Sequence, residues 1–196
     1  MNLPNKLTIL RVLLAPLFLL LLLWDFPFHY LAAGLAFGAA ALTDLFDGRI
    51  ARRRGLVTNF GKFLDPLADK MLTTAAFIGF LAQGHMDAWA LMLILSREFM
   101  VTSVRLLAAK GGKVVAASMS GKLKTVMQFV AILYMLAALE FCSWRTGLLS
   151  AVALPDALFT GLLIFGRVLI WIAAVMTVIS GFQYVWDCRE FLKEEK

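Results

Sequence analysis

Asp44-Leu45-Phe46-Asp47-Gly48-Arg49-Ile50-Ala51-Arg52 is followed after eight residues by Gly61, then by Asp65 and Asp69. The four carboxylates fall in or against strongly apolar sequence. A carboxylate at a membrane boundary is unfavourable unless a cation or a proton compensates it, so these acids are functional candidates. Residues three and four apart share a helix face. Asp44, Asp47, Gly48 and Ala51 therefore form one stripe, and Gly61, Asp65 and Asp69 a second. A chain reversal between Arg52 and Gly61 makes the stripes face each other and converges four carboxylates on one point. An all-oxygen set without His or Cys suits a hard cation, Mg²⁺, Mn²⁺ or Ca²⁺, and not zinc or copper. Four acids carry more charge than one divalent ion cancels, so a pair of ions is expected. Gly48 and Ala51 leave room for a bulky ligand to approach the helix, and Arg52 is placed to fork onto a phosphate.

Working outward, the 196 residues are 61% hydrophobic with a mean hydropathy of +0.83. A soluble domain of this size cannot hide that much apolar surface, so the bilayer is the expected solvent, and the length suits a single domain over residues 1–196. The net charge of +6 does not point to nucleic acid, because the basic residues lie between apolar segments as topology signals. Cys142 and Cys188 make no disulfide framework, and Met1 to Lys6 does not read as the start of a cleaved signal peptide, so none is expected.

The apolar pattern predicts an all-α integral membrane protein of six transmembrane helices. Spans are expected at Leu7 to Trp24 with a kink at Pro16, Phe28 to about Arg52, Lys62 to Ala82, Trp89 to Ala109, Lys122 to Phe141 and Leu158 to Trp186. Pro66 disfavours helical geometry at Asp65, so the third helix is expected to start or bend there. A short interfacial segment precedes the first span, in which Asn5 reads as a cap and Lys6 and Arg11 as interfacial anchors. Of the 19 Lys and Arg residues, only Arg145 and Arg167 fall toward the outer half, with Arg97 inside a span. The positive-inside rule then puts both termini and the acids on the cytoplasmic face.

The spacing D-x2-D-G-x2-A-R-x8-G-x3-D-x3-D from Asp44 to Asp69 resembles, without departure, the signature of the CDP-alcohol phosphotransferase family. An EF-hand is excluded, since the alternate ligands and closing Glu of that loop are missing. The opening Pro4-Asn5-x-Leu7-Thr8-x-x-Arg11, the run Ser96-Arg97-Glu98 to Arg105, and Gly121-Lys122-Leu123-Lys124-Thr125 resemble the phosphatidylglycerophosphate synthases of that family. The resemblance implies attack of an alcohol on the β-phosphorus of CDP-diacylglycerol with release of CMP. It implies a pair of Mg²⁺ or Mn²⁺ ions on Asp44, Asp47, Asp65 and Asp69, with Asp69 as general base. It also implies CDP-lipid contacts from Asn5, Thr8, Gly48, Ala51, Arg52, Thr58 and Gly61, and a homodimer in a bacterial cytoplasmic membrane.

The acceptor is read from the cations. Arg97 and Arg105 share a helix face two turns apart, and Lys122 and Lys124 open the next span. Four cations beside an acidic metal site favour an acceptor with its own anion, glycerol 3-phosphate. The opposing expectation is that Arg97 merely pairs with Glu98 while the lysines snorkel to the interface. Competing functions are the same chemistry on inositol phosphate, phosphatidylglycerol or serine, and a cation transporter whose acids bind the transported ion. The acids lie at one face and not at the midplane, which disfavours transport.

Overall fold

A computed structural model describes residues 3–54, 59–110, 119–146, 154–187 and 189, with side chains described for 9–43, 70–104, 119–145, 154–187 and 189. Six α-helices account for nearly all of it: α1 (Leu3–Leu23), α2 (His29–Arg54), α3 (Asn59–Ala82), α4 (Ala88–Lys110), α5 (Met119–Ser143) and α6 (Asp156–Asp187). A 3₁₀ turn at Trp144–Thr146 follows α5, and there is no strand among the described residues. Helices of 21 to 32 residues are about 30 Å or longer. Helices α5 and α6 are long and apolar enough to cross a membrane, and shorter apolar stretches occupy Ile9–Leu23, His29–Thr43 and Lys70–Ala82.

The six helices coincide with the six expected spans, their ends shifted by a few residues. Two details differ. The opening is not a separate segment, because α1 runs from Leu3 through Pro16 to Leu23. Helix α3 begins at Asn59, before Pro66, so of the two expectations for that proline, a start or a bend, the start is not what forms.

Packing follows residue size. Without a hydrophobic force between helices in lipid, close van der Waals approach has to hold the bundle together. Many buried positions are small, Ala15, Ala33, Ala40, Ala76, Ala90, Ala131, Ala173 and Ala174, and they lie among larger buried side chains such as Phe18, Phe37, Phe77, Phe80, Ile132 and Met135. Leu13, Leu35, Trp89, Phe99 and Phe182 point outward, so the helices are apolar on both sides, the pattern of a bundle in lipid. Gly79 brings α1 and α3 together, since a Cβ there would lie 2.3 Å from Leu22 Cδ2. Phe37 links α1 to α5 across α2, its ring centroid 5.7 Å from Phe18 and 5.3 Å from Phe129.

Helix α1 packs against both α2 and α3, which touch each other only sparingly; α5 packs on α6 and α2, and α4 on α6. Among the described residues α1 therefore has the closer contact with each of the two acid-bearing helices; the expected facing of the Asp44–Ala51 and Gly61–Asp69 stripes falls on side chains outside the described residues.

The end carrying the α1–α2 and α3–α4 links is closed by polar contacts. Buried Glu140 caps α2, accepting from Leu31 N at 2.8 Å and from Trp144 Nε1 at 2.7 Å. Gly84, at φ +75°, ends α3 in a left-handed turn that a side chain would strain. Its carbonyl accepts from Arg167, and Asp87 accepts from Trp171 Nε1 at 2.9 Å.

Candidate active site

At the opposite end the interior of the bundle turns from apolar to polar. On α1 the buried positions Leu22, Phe18 and Ala15 continue to Arg11, which is 2% exposed. On α4 they run from Ala90 and Ile94 to Arg97, on α5 from Met135 and Ala131 to Gln128 and Lys124, and on α6 from Ala173 to Thr177 and Ser180. Each sits on the core stripe at the three- and four-residue spacing of its helix. The side chains face the interior because the register demands it. A bundle that needed only stability would place apolar groups there, since burying charge is expensive.

Glu98 is the hub of this polar interior. Its Oε2 lies 3.1 Å from Lys70 Nζ of α3, and its Oε1 meets Lys124 Nζ of α5 and lies 3.6 Å from Arg97 Nη1. Lys70 also donates to the Glu98 carbonyl at 3.1 Å and to the Thr102 hydroxyl. Arg97 Nη2 donates to Ser180 Oγ of α6 at 2.9 Å. One turn deeper, Gln128 Nε2 donates to Thr177 Oγ1 at 3.1 Å. Gly181 makes the Arg97 path possible, because a Cβ there would stand 2.6 Å from Arg97 Cγ. Four helices are tied together by one carboxylate and its cations.

The acid motif lies at this same end. Asp44, Asp47, Gly48, Ala51 and Arg52 occupy the last turns of α2, and Gly61, Asp65 and Asp69 the first turns of α3. Four residues, 55–58, join them, so these helix ends lie within about 18 Å of each other. Asn5 and Thr8 are in the opening turns of α1, which packs on both acid-bearing helices. The side chains of Asn5, Thr8, Asp44, Asp47, Gly48, Ala51, Arg52, Gly61, Asp65, Asp69 and Arg105 lie outside the described residues, as does Thr58 altogether. Among the described residues there is no group of three or more acids, His or Cys that suits a metal ion.

The sequence as a whole matches the CDP-alcohol phosphatidyltransferase family over residues 1–179. The chain belongs to that family. A Bacillus subtilis relative named CDP-diacylglycerol–glycerol-3-phosphate 3-phosphatidyltransferase is 40% identical, over 98% of this chain and 97% of that one. Relatives of the same name from Rickettsia prowazekii and Sodalis glossinidius are 37% and 36% identical, over 97% and 99% of this chain and 97% and 98% of their own.

Within this CDP-alcohol phosphatidyltransferase, the four cations expected to serve the acceptor are divided. Arg97 and Lys124 are buried and meet at Glu98. Lys122 is exposed; two residues from Lys124, it stands about 200° around the helix. The expected Arg97–Glu98 pair is present, while Lys124 does not snorkel. Glu98, Lys70 and Ser180 were not anticipated as site residues. Glu98 and Lys70 carried a signal, an acid and a base inside apolar stretches of different helices; Ser180 carried none. Arg11, for which the sequence left open an interfacial anchor or a place along the substrate site, lies inside the bundle.

Proposed function

We propose that the protein transfers a phosphatidyl group from CDP-diacylglycerol to sn-glycerol 3-phosphate, giving phosphatidylglycerophosphate and CMP. The observation that carries this reading is the buried pair of Arg97 and Lys124 at the end of the bundle where the acid motif ends α2 and opens α3. Cations set into that interior suit an acceptor that carries a phosphate. The names of the relatives from three bacterial genera support the same donor and acceptor. Serine balances its carboxylate with its own ammonium group, so it calls for less positive charge than the phosphate of glycerol 3-phosphate.

The reaction is a displacement. The acceptor hydroxyl attacks the β-phosphorus of the donor, the bond from that phosphorus to the bridging oxygen breaks, and CMP leaves with the electron pair. Asp69, the last acid of the motif, takes the hydroxyl proton; a carboxylate has to reach the hydroxyl within hydrogen-bond distance to do so. Arg97 and Lys124 hold the acceptor's phosphate, with Arg105 one face-repeat further along α4 and Lys122 adding positive potential from outside. Asn5, Thr8, Gly48, Ala51, Arg52, Thr58 and Gly61 receive the CDP portion, and buried Arg11 joins them from α1. Asp44, Asp47, Asp65 and Asp69 suit one or two Mg²⁺ or Mn²⁺ ions, being oxygen donors only. Such ions would neutralise the pyrophosphate and the departing CMP. Register supports this site: the buried spacing Ala33, Phe37, Ala40 on α2, carried onward, reaches positions 44, 47 and 51, and Phe80, Ala76, Leu72 on α3, carried backward, reaches 69 and 65.

The six helices span a bacterial cytoplasmic membrane as one domain with this end toward the cytoplasm, and the protein works as a homodimer. The test is product identity. Purified protein in lipid nanodiscs, given CDP-diacylglycerol, Mg²⁺ and radiolabelled glycerol 3-phosphate, should yield labelled phosphatidylglycerophosphate with one CMP per product. Label incorporated from serine or inositol phosphate instead would refute the acceptor assignment, and no CMP with any acceptor would refute the activity.

A further inference from the structure

We infer that Glu98 is a positioning residue for the acceptor's phosphate, acting through Arg97, Lys124 and Lys70. The inference rests on the acceptor reading above and goes beyond it, since an acid is an unexpected occupant of a pocket meant for an anion. The geometry explains its presence. Arg97, Lys70 and Lys124 come from three different helices, and each lies within ion-pair distance of the one Glu98 carboxylate. The carboxylate is an anion shared by all three, and removing its charge leaves three cations in a largely buried setting repelling one another. Lys and Arg side chains are also long and lose much rotamer freedom when fixed. The carboxylate supplies the fixing contact in advance, so the acceptor meets ordered donors. Lys70 adds a second consequence. It follows Asp69 directly on α3, so its bonds to the Glu98 carboxylate, the Glu98 carbonyl and Thr102 tie the acid-bearing helix to α4. Glu98 thereby fixes the spacing between the acceptor's phosphate and the group proposed to take its proton.

The experiment measures CMP release in nanodiscs with glycerol 3-phosphate and CDP-diacylglycerol varied separately, for Glu98→Gln, Glu98→Asp, Arg97→Ala and Lys124→Ala. Glu98→Gln keeps the shape of the side chain and removes only its charge, which limits damage to folding. Loss of a charge-assisted hydrogen bond corresponds to roughly ten-fold or more in affinity. Glu98→Gln should therefore raise KM for glycerol 3-phosphate about ten-fold while KM for CDP-diacylglycerol changes less than two-fold, and Glu98→Asp should recover part of the loss. A fall in KM for glycerol 3-phosphate would make the carboxylate a mere competitor of the phosphate and overturn the inference. Equal effects on both substrates, or none, would overturn it as well. If Arg97→Ala and Lys124→Ala raise that KM and Glu98→Gln does not, only the role of Glu98 falls. If neither cation matters, the acceptor reading falls first.

Discussion

Gly181→Ala should cost acceptor affinity through a residue that does not touch the acceptor. A Cβ at this position would lie 2.6 Å from Arg97 Cγ and 3.4 Å from Met100 Cε. Ordinary carbon contacts begin near 3.5 Å, so Arg97 must retreat by about 1 Å. The contact is at the middle of the side chain, whose far end is held by Ser180 Oγ at 2.9 Å and by Glu98 at 3.6 Å. It cannot swing away without stretching both. Overpacking of this kind costs about 1–3 kcal/mol of stability, and losing a hydrogen bond to a charged group costs about 1.5–3 kcal/mol. If half of the second figure reaches substrate binding, KM for glycerol 3-phosphate rises roughly three- to ten-fold. The assay is CMP release in nanodiscs with each substrate varied, alongside thermal unfolding. Unchanged stability together with unchanged KM for glycerol 3-phosphate would refute the claim that α6 fixes Arg97. Ser180→Ala should move KM in the same direction by less.

Asp69→Asn should abolish turnover while CDP-diacylglycerol binding, read by equilibrium dialysis of the lipid or by competition with CMP, stays within a few-fold; retained turnover would remove Asp69 as base. Gly79→Val should destabilise the bundle by about 1–3 kcal/mol, because even a Cβ would meet Leu22 Cδ2 at 2.3 Å, and a variant melting with the native protein would contradict the close α1–α3 contact. His85, in the link between α3 and α4, has its pKa lowered from the ordinary 6.5, first by burial and then by the nearby Arg167 charge. The unfolded chain then binds this proton more readily than the folded one, so stability is held above about pH 6.5 and declines as pH falls below it. Melting curves from pH 8 to 5 should show that decline, and His85→Gln should reduce it.

Helices were legible in this sequence because long apolar runs ended by polar links leave little else for the chain to form; among the described residues α5 and α6 are long and apolar enough to cross a membrane. The family was legible because the spacing of the acid motif from Asp44 to Asp69 is long and specific, and the family match covers that stretch. What α1 does was not legible. Nothing in its leucines states that it packs on both α2 and α3; that follows from the close approach at Gly79 and from Phe18 meeting Phe37, which are tertiary facts. Glu98 escaped for a similar reason, since its partners come from helices 26 and 28 residues away. Lys122 is a different matter. Two residues from Lys124, it could have been assigned to the other side of α5 from helical spacing alone.

The most direct test asks whether the joined ends of α2 and α3 hold divalent cations. Mn²⁺ titrated into the purified protein with CDP-diacylglycerol present, and followed by the loss of the free-ion paramagnetic resonance signal, should bind in one or two equivalents. Asp44→Asn and Asp65→Asn should each weaken that binding at least ten-fold and abolish CMP release in step. Binding that survives substitution of all four aspartates, or CMP release that persists after every divalent ion has been chelated, would contradict the account.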